Sequence, residues 1–203
     1  MTFNDLSGFV LAGGRSSRMK TDKAVLTFQD KTFLERAFIS LVQLTKQTKI
    51  VINKDQKAQF EEAFPHFNFI VDIYPERGAL GGIHAAFKNC ESKFAMILAV
   101  DLPFITAEIL EKLPRLAFQD FSAIVPRQSD GRFQPLCAVY RVSECLPRVE
   151  ELLEKDDSAS VRDFLKLISV NVVEARSLSD NEDIFFNVND SQDLASLTRS
   201  STD

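Results

Sequence analysis

The sequence predicts an α/β fold: a mostly parallel, Rossmann-like sheet covered by helices on both faces, in three α/β/α layers. Three observations predict it. Short apolar runs alternate with segments of helical periodicity, the pattern of repeated βα units. The run Phe94-Ala95-Met96-Ile97-Leu98-Ala99-Val100 contains no polar residue, as a central parallel strand buried on both faces requires. Each of the first four apolar runs ends on Gly, Asn or Asp, where such sheets gather their ligands.

Taken in order, residues 7–12 read as a strand, 32–44 as an amphipathic helix and 49–53 as a strand. Residues 56–63 then read as a helix and 68–71 as a strand. A loop rich in Gly and Pro leads to a helix near 82–89 and to the strand 94–100. Right-handed crossovers connect parallel strands of this kind. Thr106 suits the N-cap of a following helix. The later chain changes character: a strand at 122–126, a turn at Asp130-Gly131 and a strand at 137–140 read as a hairpin-like excursion. Ser160 opens a helix running to about 167, and Asn187-Val188-Asn189-Asp190 ends a strand and caps a helix over 191–197.

At 203 residues, 45% hydrophobic and 26% charged, the chain reads as one soluble globular domain. A net charge of −5 argues against a general nucleic-acid binder, because phosphate backbones would be repelled overall. No signal peptide is read at Met1-Thr2-Phe3-Asn4-Asp5, and no run approaches a membrane helix, so a cytoplasmic protein with no membrane partner is expected. Cys90, Cys137 and Cys145 are odd in number and lack C-x-x-C spacing, and His66 and His84 lack metal-ligand spacing. These five side chains read as structural, in a reducing compartment.

The chemistry concentrates after the first strand, in Leu11-Ala12-Gly13-Gly14-Arg15-Ser16-Ser17-Arg18-Met19-Lys20-Thr21-Asp22-Lys23. Gly13 and Gly14 can take positive φ and let a ligand approach the main chain, so that successive N–H groups point at one anion. Arg15, Arg18, Lys20 and Lys23 add local positive charge, which suits a polyphosphate. Neither G-x-G-x-x-G nor G-x-x-x-x-G-K-[ST] occurs, so the dinucleotide fingerprint and the P-loop are excluded. Asn53, Asp72 and Asp101 follow the next three strands, where they can line the same crevice. Asn53 and Asp72 also suit an ordinary cap and an ordinary turn. Asp101, in Ala99-Val100-Asp101-Leu102-Pro103, ends a buried strand, where a lone charge needs a cation, a metal or several donors. Magnesium, which takes one or two carboxylates plus substrate phosphates, fits that position. The segment Gly78-Ala79-Leu80-Gly81-Gly82 offers a second place where a helix N-terminus faces a nucleotide. Arg132 and Gln134 serve either an exposed turn or a second substrate, while Asn187 has no capping explanation.

Together the loop from Leu11 to Lys23, Asp101-Leu102-Pro103, the block from Gly131 to Tyr140, Ser160-Val161-Arg162 and Phe186-Asn187-Val188-Asn189 resemble the molybdenum cofactor guanylyltransferase family, over about 6–197. The first loop alone specifies only the nucleotidyltransferase superfamily. The resemblance implies a glycosyltransferase-A-like nucleotidyltransferase fold, with a nucleotide-binding part over about 6–105 and a pterin-substrate part over about 106–197. It also implies transfer of GMP from GTP to molybdopterin or its molybdenum-loaded form, with Mg2+ as cofactor and cofactor-insertion and delivery proteins as partners. By position, Leu11, Ala12, Gly13, Gly14, Lys23, Asn53, Asp72 and Asp101 would bind GTP, and Asp101 the metal. Arg18, Lys23 and Asp101 would be catalytic, and Arg132, Gln134, Asn187 and Asn189 would face the pterin. Lys20 departs from the family, which usually has glycine after Arg-Met. Rival readings are cytidylyl or other nucleotidyl transfer, to molybdopterin or to a sugar or polyol phosphate, and a non-catalytic carrier of nucleotide or pterin.

Overall fold

The computed structural model describes residues 3–13, 22–116, 120–188 and 193. Its centre is β1 (Phe3–Leu11), whose side chains alternate between two cores: Leu6 and Val10 point into one, Phe9 and Leu11 into the other. Burial on both faces explains why this run is apolar throughout its second half. β1 pairs in parallel with β4 (Thr45–Ile52) on one side and β6 (Phe94–Ala99) on the other, and β4 pairs in parallel with β5 (Phe69–Val71).

The full seven-stranded order is β5-β4-β1-β6-β8-β7-β9, with β7 (Ala123–Arg127), β8 (Cys137–Arg141) and β9 (Val170–Glu174). Only β8 runs against its neighbours β6 and β7. The sheet is therefore mostly parallel, as the alternation predicts. A separate two-stranded hairpin, β2 (Thr27–Phe28) with β3 (Lys31–Thr32), sits beyond it.

One core packs α1 (Phe33–Val42), α2 (Lys57–Ala63) and α4 (Ala107–Leu110) against the sheet; the other packs α3 (Ala79–Lys88), α5 (Val142–Lys155) and α6 (Val161–Lys166). These are the two outer layers of the sandwich. α1 begins with a capping box in which the Thr32 hydroxyl accepts from Glu35 N and Glu35 accepts from Thr32 N. α6 begins the same way with Ser160 and Asp163. Among the described residues no helix is long and apolar enough to cross a membrane.

Four differences from the sequence reading have physical causes. α3 starts at Ala79 rather than near 82, because Gly78 at φ +55° ends the preceding loop and frees the next residue to begin the helix. α5 was missed, since Pro147 and a polar composition hide its apolar stripe of Cys145, Val149 and Leu153 at four-residue spacing. β9 was missed because it is an edge strand with only Val173 buried. No strand precedes Asn187: residues 182–185 form a single 3-10 turn and 186–188 follow it as irregular chain. Asn189, Asp190 and, apart from 193, the helix expected over 191–197 lie outside the described residues.

The hairpin-like excursion is present, with Gly131 at φ +87° in its turn and an Arg127–Phe133 bridge behind it. Its base is held from inside the protein. Tyr140, fully buried against Phe87 and Phe164, donates its hydroxyl to Pro135 O at 2.7 Å. Tyr140→Phe keeps the ring but leaves that carbonyl without its donor, and should lower stability by about 1–2 kcal/mol in urea unfolding.

Candidate active site

The order β5-β4-β1-β6 makes the chain reverse direction across the sheet between β1 and β6, where open α/β sheets leave a crevice beyond the strand ends. A cleft of about 260 Å³ lies there. Leu11, Ala12 and Gly13 from the end of β1, Asp72 after β5, and Asp101 after β6 all line it, and so does Lys23.

Lys23 reaches this cleft because Asp22 caps the short turn Lys23–Val25, its carboxylate accepting from Ala24 N at 3.0 Å. Lys23 Nζ lies 3.8 Å from Asp101 Oδ2, with the two side chains 19% and 26% exposed. Burial pushes the Asp101 carboxyl above its usual range and the adjacent ammonium pulls it back only in part. The Asp101 main chain is fixed as well: its carbonyl accepts from Val188 N at 3.1 Å.

Gly13 plays a different part from the one its sequence suggests. Ala12 N and Gly13 N both donate to Val51 O, at 2.9 and 3.0 Å, so neither points at a ligand. The positive φ expected at this glycine is not found either. A side chain is disfavoured here by crowding, since a Cβ would sit 3.0 Å from Asn53 Oδ1 and 3.3 Å from Asn53 N, and these neighbours would have to give way. Any main-chain anion cradle therefore begins after Gly13. Gly14, Arg15, Arg18 and Lys20 lie outside the described residues.

Asn53 stands behind this loop rather than on the cleft wall. It is the first residue of a turn in which Asn53 N donates to Gln56 Oε1 at 2.7 Å. The sequence reading overlooked Gln56. Its amide donates to Ala12 O and to Asp22 Oδ2, joining the residues at the two ends of the glycine loop. A polar residue at the third position after Asn53 was its only signal.

Asp72 is almost fully buried; desolvation raises its carboxyl above the usual range, opposed by the Tyr74 N–H that it accepts at 2.7 Å and by His84. Gly81 of α3 packs directly on it. A Cβ at Gly81 would lie 2.3 Å from Tyr74 O and 2.8 Å from Asp72 Oδ2. Gly78, Ala79 and Gly82 from the start of α3 complete this wall, so the segment 78–82 does face the cleft. His84 is buried behind it, edge-on to Tyr74 at 5.1 Å and with Nε2 3.7 Å from Glu150. Arg77 ties the loop down by donating to Leu153 O at 3.0 Å and to Asp157 at 2.9 Å.

A second cleft, of about 840 Å³, holds Arg132, Gln134 and Asn187 together with Phe133, Arg162 and Lys166. Residues far apart in the chain thus meet as the sequence reading grouped them, with Asn189 outside the described residues. Arg132 is exposed and bonded to Asp130 at 2.6 Å, whereas Gln134 is buried with its main chain pinned to Pro126 O at 2.8 Å. The two clefts adjoin through short stretches of chain. Gln134 and Pro135 face the second and Leu136 the first, and Asn187 in the second precedes Val188, which is bonded to Asp101.

Among the described residues no three His, Cys, Asp or Glu side chains gather as a metal cage. The chain's three cysteines are free thiols, and burial pushes Cys137 and Cys145 up to about 12, so neither acts as a nucleophile.

The model of the MobA-like NTP transferase domain matches residues 8–175. Relatives described as probable molybdenum cofactor guanylyltransferases include one from Peptoclostridium acidaminophilum, 32% identical over 197 residues, covering 93% of this chain and 86% of the relative. Another, from Methanosarcina mazei, is 31% identical over 203 residues, covering 94% and 89%. Among solved structures, molybdopterin-guanine dinucleotide biosynthesis protein A from Archaeoglobus fulgidus superposes with a TM-score of 0.81 at 24% identity, covering 97% of this chain and 98% of that one. The 4-diphosphocytidyl-2C-methyl-D-erythritol synthase of Anaerococcus prevotii superposes at 0.72 with 14% identity, covering 98% and 97%. The fold is that of nucleotidyltransferases, and the chain belongs to the MobA-like NTP transferase family, in its molybdenum cofactor guanylyltransferase group.

Proposed function

We infer that this chain transfers GMP from GTP to the terminal phosphate of molybdopterin or its molybdenum-loaded form, releasing pyrophosphate. The observation that carries the reading is the desolvated Lys23–Asp101 pair at the β1/β6 switch point, in a cleft that adjoins a second one lined by Arg132, Gln134 and Asn187. One cleft suits the triphosphate and the other the acceptor, so the two reactants meet at Asp101.

In this reading an oxygen of the acceptor phosphate forms the new bond to the α-phosphorus. The bond from that phosphorus to the α,β-bridging oxygen breaks, and its electron pair leaves on pyrophosphate. A phosphate monoester is already an anionic nucleophile, so no general base is required. Both reactants are anions, and the chain's task is to bring them together against their repulsion. Lys23, with Arg18 and the N–H groups from Gly14 onward, would neutralise charge on the transferring and leaving phosphates. Asp72 and the first turn of α3 would hold the nucleoside end, while Asn53 would support the glycine loop from behind. Arg132, Gln134, Asn187 and Asn189 would orient the acceptor.

The donor chemistry of Asp101 fits magnesium. Its carboxylate is buried and poorly solvated beside Lys23, and it would be a hard oxygen ligand for such an ion. Such an ion supplies charge neutralisation at the α-phosphate and the leaving pyrophosphate. Free thiols and buried cysteines suit the reducing cytoplasm, where the product would pass to insertion and delivery proteins.

Four measurements test this reading. Asp101→Asn should lower pyrophosphate release by roughly 10²–10³-fold. Because burial raises the folded-state pKa of Asp101, the ionised carboxylate costs stability once the pH is above that value. The Tm of Asp101→Asn at pH 7 should therefore equal or exceed that of the parent, an advantage that vanishes below the unfolded carboxylate pKa of about 3.9. Lys23→Ala should weaken GTP binding or turnover with little change in Tm; unfolding with nucleotide affinity intact would make Lys23 structural. With magnesium present, GTP should raise Tm more than CTP, ATP or UTP at equal concentration, and equal shifts from all four would remove the guanine assignment.

A further inference from the structure

Resting on that reading of the cleft, we propose that Arg36 is a positioning residue for the transfer: its guanidinium clamps the turn that carries Asp101 to the hairpin that follows Lys23, and so sets the separation of the two charged groups. Arg36 is on α1 and does not line either cleft. Its Nε and Nη2 both donate to Pro103 O, at 3.2 and 3.0 Å, two residues beyond Asp101. Its Nη1 donates to Gln29 Oε1 at 3.3 Å, in the turn of the β2-β3 hairpin. The guanidinium carbon also sits 5.0 Å from the centre of the Phe28 ring, and that ring meets Phe104 edge-on at 5.9 Å.

The two sides of this clamp are themselves stiff. Gln29 and Asp30 take φ of 49° and 62°, the left-handed pair that a two-residue hairpin turn demands. Only Leu26 and Thr27 separate that hairpin's aromatic residue from the turn Lys23–Val25, and Phe33 N closes the base by donating to Leu26 O at 2.9 Å. On the other side, Ile105 N donates to Leu102 O at 3.3 Å, and the Ser40 hydroxyl, again from α1, donates to Ile105 O at 3.1 Å. Helix α1 thus grips the 101–105 turn through Arg36 and Ser40, and the segment after Lys23 through Arg36 and Phe33 N. Phe28 and Phe104 add a ring contact between the turn and the hairpin.

The chemistry demands arginine. A planar guanidinium gives two N–H groups to one carbonyl, a third to an amide, and a flat face to a ring; an ammonium gives a point charge. Arg36→Lys therefore keeps the charge and loses the fork. In the full-length protein, kcat for pyrophosphate release with GTP and molybdopterin should fall about 10–100-fold, the penalty of an ångström-scale misplacement, while KM for GTP stays within about twofold. Combined with Lys23→Ala the two losses should not multiply, since both act through one pair. A merely structural defect would multiply them and would overturn the proposal.

Amide hydrogen exchange reads the clamp without any substrate. In Arg36→Lys the N–H groups of Ile105 and Val188 should exchange at least about tenfold faster, with protection in the β1 and β6 strands unchanged. Unchanged exchange at both amides, or faster exchange with kcat unaltered, would overturn the proposal. If the parent protein releases no pyrophosphate from any nucleotide, the transfer reading fails, and the exchange rates still decide whether Arg36 holds the turn. Ser40→Ala, which removes only the bond to Ile105, should change exchange and kcat in the same direction by less, and it takes the place of Arg36→Lys should that variant not fold.

Discussion

A carboxylate taken out of water beside the Lys23 ammonium is the constraint on which this structure turns. At 3.8 Å and an effective dielectric near 20, the attraction between Lys23 and Asp101 is about 4 kcal/mol before solvation is counted. Burial raises the Asp101 carboxyl above its usual range and Lys23 lowers it only in part, so the carboxylate is held in place by the rest of the fold rather than by its own hydration.

The sheet supplies that hold. β1 and β6 are neighbours in the sheet but far apart in the chain, so their carboxyl ends bring Gly13 and Asp101 to one crevice without any local sequence relation. Backbone bonds then lock each strand end: Ala12 and Gly13 to Val51, Val100 to Leu11, Ala99 to Leu136, and Val188 to Asp101. The last two also fasten the hairpin and the segment of Asn187, which line the second cleft, to the same β6 end that presents the carboxylate. The antiparallel β8 is what makes this possible, because it returns the chain from that hairpin directly alongside β6.

Much of the first half was legible in the residues. Uninterrupted apolar runs at β1 and β6 announced buried parallel strands, and the residues after them were the ones that line the cleft. The second half was less so. An edge strand such as β9 has little to bury and so carries little pattern, and Pro147 masks the helical stripe of α5. Asn187 stands out in the sequence for lacking a capping role, and it lines the second cleft, although the strand expected before it is a 3-10 turn and irregular chain.

By itself, the sequence determined the class of fold, because periodicity is a local property, and its motif blocks identified the family by resemblance. Only the tertiary structure decided that Gly13 is a glycine through crowding by Asn53 rather than through positive φ, that its N–H is spent on Val51, and that Gln56 and Arg36 brace the site from outside the motifs. Those roles arise from side chains and carbonyls that are far apart in the chain, and no local pattern records a meeting of that kind.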